Sequence, residues 1–171
     1  DAAARLGGQI VRMQEMLLRY VKQSADPAVR AQETALRLSL ARTLRKLERH
    51  AEAVGQYEWL LRNLPRQEAG AAIRGLAICH ERMLRYGLAA DRWQSLAKGL
   101  KKSTDGWYEA RYHWIWCLHQ DGRRDQARKL LAYFRLQHPK IVIGEWQAAF
   151  DALSGRIGRP VPTSRPGGET R

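Results

Sequence analysis

The sequence predicts an all-α fold assembled from antiparallel helical hairpins, and three observations predict it. Apolar residues recur at helical spacing along most of the chain, as at Leu36, Leu40, Leu44 and Leu47. No stretch shows the strict alternation of a half-buried strand. A pattern of small and large residues also repeats: the offsets joining Leu40, Ala41, Ala53, Tyr57 and Pro65 also join Trp114, Ile115, Ala127, Leu131 and Pro139. A looser copy between them carries Leu76, Ala77, Ala89 and Trp93, with Lys101 in the place of the proline. Ala53, Ala89 and Ala127 are thus 36 and 38 residues apart, a period that belongs to arrays of two-helix units.

Each element follows from local chemistry. Ile10, Met13, Leu17, Tyr20 and Val21 make one apolar face on a helix from about Ala3 to Gln23, so residues 1–25 read as the second half of a preceding hairpin. Asp26-Pro27 is a helix start, with the carboxylate as cap and the proline in the first turn. From it an unusually long helix is expected, from near Ala28 to about Arg49. The first hairpin, about 26–67, closes with a helix bearing Val54, Tyr57 and Leu61 before Pro65. The second, about 68–104, bends at Tyr86-Gly87, and Ser103-Thr104-Asp105-Gly106 forms the loop and cap that follow it. In the third, about 105–140, Ala110, Trp114, Cys117 and Leu118 precede a turn at Asp121-Gly122, where glycine accepts the left-handed conformation. Ala127, Leu130, Leu131 and Phe134 then lead to Pro139. Residues 141–155 carry Trp146, Phe150 and Leu153 on one side of a short helix that caps the last hairpin, as repeat arrays require. Residues 156–171, rich in Gly, Pro and Arg without periodicity, read as a flexible basic tail.

The repeat resembles the tetratricopeptide family, whose unit of about 34 residues carries a Trp, a Leu-Gly pair, a Tyr, an Ala, an aromatic four residues later and a closing Pro. The match runs from about Thr34 to Lys140, with Arg37 and Arg111 where the family has its early Trp and Ile115 where a small residue is usual. The resemblance implies a right-handed α-solenoid whose first helices line a concave groove that receives an extended peptide or a helix. Carried over by register, the groove-facing positions are Leu38, Arg42, Arg45 and Lys46, then Arg74, Ile78, Glu81 and Arg82, then Tyr112, Trp116 and His119. The asparagines with which some chaperone-binding members hold a terminal carboxylate are missing here, so a chaperone-tail clamp is not implied.

Composition narrows the function classes. With 44% hydrophobic and 27% charged residues in 171, the chain is ordinary for a globular protein and long enough to bury a core without disulfide or metal staples. Thirty Lys and Arg against 17 Asp and Glu give +13, which calls for an anionic partner or surface. Most of these cations are Arg, which suits planar contacts with carboxylate or phosphate and also follows from a GC-rich genome. The hairpins hold nearly all of the surplus: residues 34–67, 70–104 and 105–140 carry +4, +5 and +3. No apolar run of 18 residues occurs, so no membrane span is expected. Cys79 and Cys117 have no CxxC spacing, and a reducing, cytoplasmic setting is the default expectation. The opening on Asp1 reads as a processed or excised piece.

Chemistry-bearing constellations are few. His113 and Cys117 lie one helical turn apart with His119 nearby, a spacing at which an imidazole can activate a thiol. Cys117 instead falls on a buried side with Trp114 and Leu118, and Cys79 holds the same register one repeat earlier, so both read as inert free thiols. His50, His80 and His138 form no four-ligand pattern with them, Gly7-Gly8 and Gly167-Gly168 lack a phosphate-loop context, and Glu109 and Asp125 read as surface acids. A non-catalytic chain without cofactor or metal is therefore expected. The expected function is a protein-interaction module or assembly scaffold. Arg42, Arg45, Lys46, Arg74 and Arg82 would grip an acidic segment of a partner, with Tyr112, Trp116 and His119 forming an aromatic anchor site. The alternative is single-stranded nucleic-acid binding, because Arg clusters with interleaved aromatics suit phosphate contacts and base stacking. Peripheral contact with an anionic membrane or a membrane complex through the same basic face is a third expectation.

Overall fold

The computed structural model describes residues 2–158, and most of the expected tail, 159–171, lies outside the described residues. The fold is all-α, with nine helices and no strand among the described residues. They are α1 Ala2–Gln23, α2 Pro27–Arg30, α3 Glu33–Lys46, α4 His50–Asn63, α5 Gly70–Arg82, α6 Tyr86–Gly99, α7 Asp105–Gln120, α8 Arg124–Gln137 and α9 Trp146–Ile157. From α3 to α8 each helix packs on the next, α3 also touches α5, α1 lies on α3, and α9 lies on α7 and α8. No helix of the described residues is long and apolar enough to cross a membrane.

Small residues govern these contacts. Ala53, Ala89 and Ala127 are fully buried, and Tyr57, Trp93 and Leu131 fill the layer one turn further on. Gly75 adds a close approach that the repeat pattern did not single out. A Cβ built there would sit inside the Tyr57 ring, 2.6 Å from its hydroxyl. Two apolar clusters result. One gathers Leu40, Leu44, Tyr57, Leu60 and Leu76 with Val11 and Leu18 of α1. The other gathers Trp93, Trp107, Tyr108, Phe134 and Phe150, with the last two rings stacked at 4.2 Å.

The long helix expected from Ala28 to Arg49 is two helices. The Asp26 carboxylate accepts from the Ala28 N–H at 2.8 Å and Pro27 opens α2. One turn later the Gln32 N–H bonds to the Val29 carbonyl, a tightened three-residue step, and α3 starts afresh at Glu33. At the far end α3 stops at Lys46, because Glu48 takes φ 59° and the Arg49 N–H returns to the Leu44 carbonyl at 2.9 Å. This six-to-one closure of a helix end recurs in every hairpin. Leu84 at φ 58° sends the Arg85 N–H to the His80 carbonyl, and Gly122 at φ 83° sends the Arg123 N–H to that of Leu118. Glu48, Leu84 and Gly122 thus repeat the spacing of the buried alanines. The second hairpin therefore bends at Leu84 rather than at Tyr86-Gly87, which already belong to α6. The boundary at 155 also moves. Phe150, Leu153 and Ile157 are all buried at helical spacing, so α9 runs to Ile157, and Arg156 with it leaves the expected tail.

A side chain in the left-handed region costs about 1–2 kcal/mol, partly offset by the extra freedom glycine brings to the unfolded chain. Leu84 is 70% exposed and loses little packing when truncated, so Leu84→Gly is expected to raise the Tm by about 2–4 °C. Gly122→Ala, whose new methyl meets nothing within 4 Å, is expected to lower it through backbone strain alone. Calorimetry of the two variants reads both signs.

A second pair tests the close approach. Gly75→Ala drives a methyl into Tyr57 and is expected to cost at least about 1–3 kcal/mol. Gly55→Ala in α4, with open space around the new methyl, is expected to stabilise by about 0.5–1 kcal/mol. Denaturant midpoints of equal sign for the two would contradict the packing described.

Candidate functional site

The first helices of the hairpins, α3, α5 and α7, lie side by side and open a cleft of about 500 Å³ between them. Arg45 enters it from α3, Ile78, Glu81 and Arg82 from α5, and Glu109, His113 and Trp116 from α7, with Leu84 and Tyr86 at the rim. Helical spacing explains the selection. On α5, Ile78, Glu81 and Arg82 are three and four residues apart, as are Glu109, His113 and Trp116 on α7, so each set shares one face.

The structure brings three of the eight expected site residues into this cleft: Arg45, Arg82 and Trp116. Arg42 and Lys46 are exposed on α3 outside its lining. Arg74 is committed elsewhere. Its guanidinium makes a two-pronged contact with Glu109 across α5 and α7, Nε to Oε2 at 2.7 Å and Nη2 to Oε1 at 2.5 Å, and this bond raises its pKa above the usual arginine value. Tyr112 was expected beside Trp116 as an open aromatic; instead its ring packs 5.9 Å from Trp146 and 5.7 Å from Phe150, beneath α9. The reason is the capping helix, which lies on the face of α7 that a repeat-by-repeat register leaves open. His119 lies 6.2 Å from the Trp116 ring, and the Arg156 guanidinium stands 5.7 Å over that ring from the other end of α9.

Beneath the cleft sits a polar knot that the residue pattern did not reveal. Glu81 accepts hydrogen bonds from the Trp93 indole Nε1 and from His113 Nδ1, the latter at 3.0 and 3.1 Å to its two oxygens. The Trp93 and His113 rings stack at 4.7 Å and 20°. One signal pointed here: Trp93 occupies the buried position that Tyr57 holds in the first hairpin, and a buried indole N–H needs an acceptor. The knot also bears on the thiol of Cys117. Its neighbouring imidazole is engaged by Glu81, and burial followed by the Glu81 charge pushes the thiol far above the ordinary cysteine range. At Cys79 burial, partly offset by Arg45, pushes the thiol up to about 11. Thiolate is the reactive form, and burial works against it at both sulfurs.

The charge balance of the cleft is set by these bonds. Its two carboxylates have internal partners, Glu109 in Arg74 and Glu81 in Trp93 and His113. Arg45 and Arg82 form no ion pair among the described residues. Arg45 stands beside the Tyr57 hydroxyl, where it partly offsets the rise that burial imposes on that phenol, and its Nε is buried without a partner. Two guanidiniums, with Ile78, Tyr86 and the Trp116 indole beside them, are what the cleft offers a ligand. No group of three or more His, Cys, Asp or Glu side chains among the described residues could hold a metal ion.

Three histidines give the fold a pH dependence. His80 is buried with its Nδ1 unpartnered, and burial, then Arg92 and Arg85, lower its pKa. Burial likewise lowers His119, with Arg124 and Arg128 adding to it, and His138, with Arg111 and Lys102. The unfolded chain takes up protons below about 6.5 that the folded chain resists, so stability is lost as pH falls through that value and is level above it. The Tm is expected to drop between about pH 7 and pH 5, and His80→Gln to shrink the drop; a flat profile would contradict the assigned burial. No protein-family model, curated protein or solved structure matches this chain, so its functional reading rests on the cleft.

Proposed function

We propose that the chain is a non-catalytic interaction module of tetratricopeptide type, an α-solenoid that holds an acidic segment of a partner protein against α3, α5 and α7. One observation carries the proposal: three successive hairpins contribute to a single open cleft whose carboxylates are bonded internally while Arg45 and Arg82 form no ion pair among the described residues. Charge-assisted pairs to a carboxylate are strong and directional, and guanidinium presents the planar fork they need. Ile78, Tyr86 and Trp116 in the same lining offer an apolar seat beside the charges. An acidic segment with one large apolar side chain matches that combination. Arg45 and Arg82 pair its carboxylates, and Trp116 anchors the apolar group. Arg74 braces the floor of the cleft through Glu109.

A second reading, single-stranded nucleic-acid binding, rests on a different place. Arg111 stands 5.1 Å from the Trp107 ring and 5.4 Å from that of Trp114, and these line a cleft of about 330 Å³ with Lys98 and Lys102. Cations around an indole suit base stacking and phosphate contacts.

The two readings separate by salt and by site. A labelled peptide of alternating Glu and Gly with one central Trp, and a labelled uridine oligonucleotide, are titrated with the protein at low and moderate salt. The peptide is expected to bind, to lose about thirtyfold in affinity with Trp116→Ala, as an anchor worth about 2 kcal/mol does, and to be lost with Arg45→Glu plus Arg82→Glu. Oligonucleotide affinity is expected to collapse by about a thousandfold between about 50 and 200 mM salt if six phosphates are contacted. Tight oligonucleotide binding that survives the higher salt and depends on Arg111 makes the second reading the correct one.

A further inference from the structure

Helix α1 carries two apolar rows, and the fold uses one. Gly7, Val11, Gln14, Leu18 and Val21 follow one another at spacings of four and three and face α3. Val11, Leu18 and Val21 are buried, Gly7 approaches Leu47, and the Gln14 amide donates to the Ser39 hydroxyl at 2.9 Å. One residue earlier in register, and so about 100° around the helix, runs a second row with the same spacing: Leu6, Ile10, Met13, Leu17 and Tyr20. With Met16 beside them, these side chains are between 39% and 68% exposed. A four-and-three row of large apolar residues is the pattern with which one helix seats another, and contiguous exposure of this kind marks a contact surface.

The rest of the array says what geometry the row fits. Each internal second helix is held between two first helices, α4 between α3 and α5 and α6 between α5 and α7. Helix α1 packs on α3 as α4 packs on α5, yet no second long helix packs against it among the described residues. Its open row lies where the other first helix would be. Charge then says what such a helix must carry. Arg5, Arg12 and Arg19, seven residues apart, form a line along the free border of the row; all are exposed and form no ion pair among the described residues. The one acid of α1, Glu15, acts on Arg49 of the adjoining turn instead. A second copy of α1 brings another arginine line, and its one carboxylate, Glu15, is set toward Arg49.

We infer that the outer face of α1 is a docking surface for an acidic amphipathic helix of a partner protein, seated on Leu6, Ile10, Met13 and Leu17 with its carboxylates against Arg5, Arg12 and Arg19. The occupant differs in shape and place from the segment assigned to the cleft, so the two sites stand or fall separately.

The test uses the whole chain and two designed helical peptides of about 20 residues with leucine at four-and-three spacing, one flanked by Glu and the other by Lys. By fluorescence anisotropy the Glu peptide is expected to bind and the Lys peptide not to. Arg5→Glu, Arg12→Glu and Arg19→Glu together are expected to weaken the Glu peptide by at least about tenfold and to admit the Lys peptide. Ile10→Glu with Leu17→Glu is expected to abolish binding while circular dichroism is unchanged, and Met13→Glu alone to weaken it should the double variant lose helicity. Arg45→Glu with Arg82→Glu is expected to leave this binding untouched. Equal binding of both peptides, or no loss with the arginine reversals, overturns the assignment. So does a dimer in sedimentation that Leu17→Glu dissolves, which makes a second copy the occupant. Capture on phosphatidylserine vesicles that requires α1, with the Glu peptide ignored, overturns it in favour of a membrane.

Discussion

Close approach of helix backbones at Ala53, Ala89, Ala127 and Gly75 is the constraint on which the rest of the molecule depends. A buried helix can approach its neighbour only as nearly as the side chains between them allow, and here those side chains are a methyl or a hydrogen. The space saved at the crossing is used one turn away, where the Tyr57 and Trp93 rings are buried. The phenol and indole then need polar company. Tyr57 finds Arg45 and Trp93 finds Glu81, both on the cleft side. The packing of the core and the chemistry of the cleft are thus joined through two aromatic side chains whose bodies are buried and whose polar ends reach toward the surface.

This joining accounts for the charge of the cleft. Both of its acids are bonded to groups that hold the helices together, Glu81 of α5 to Trp93 and His113 and Glu109 of α7 to Arg74. Such hydrogen-bonded carboxylates offer little to a ligand, because their lone pairs are already directed. The surplus of +13 in the chain therefore counts for less than where each cation's partner lies. At Arg74, Arg49 and Arg128 the charge is met within the fold. At Arg45 and Arg82, and at Arg5, Arg12 and Arg19 of α1, no ion pair meets it among the described residues.

Helix type, the period of the array and its small buried positions could be read from residue pattern, because each depends on spacing within one element. The register of the first helices also placed Arg45, Arg82 and Trp116 on the cleft side. Features that depend on a second element were hidden. Tyr112 has the spacing of an open aromatic, and α9, distant in sequence, covers it. Arg74 has the position of a ligand-binding cation, and Glu109, 35 residues on, claims it. The left-handed turns at Glu48 and Leu84 carry no glycine to announce them, since the helix-end hydrogen bonds impose the conformation on whatever residue stands there. Ile157 was lost among Gly and Arg because the Phe150, Leu153, Ile157 spacing is visible only once the helix is allowed to continue past Gly155.

Helix α5 has a further consequence. Ala72, Leu76 and Cys79 belong to the first apolar cluster, whereas Ala77, with Ile73 and Ile78 packed beside it, belongs to the second. In an array whose units touch chiefly their neighbours, cooperativity passes from one end to the other through whichever helix both halves share. Ile78, Glu81 and Arg82 place that same helix in the wall of the cleft. A molecule that binds there grips the hinge pin of the folding unit, and its binding energy is distributed to both halves of the chain at once.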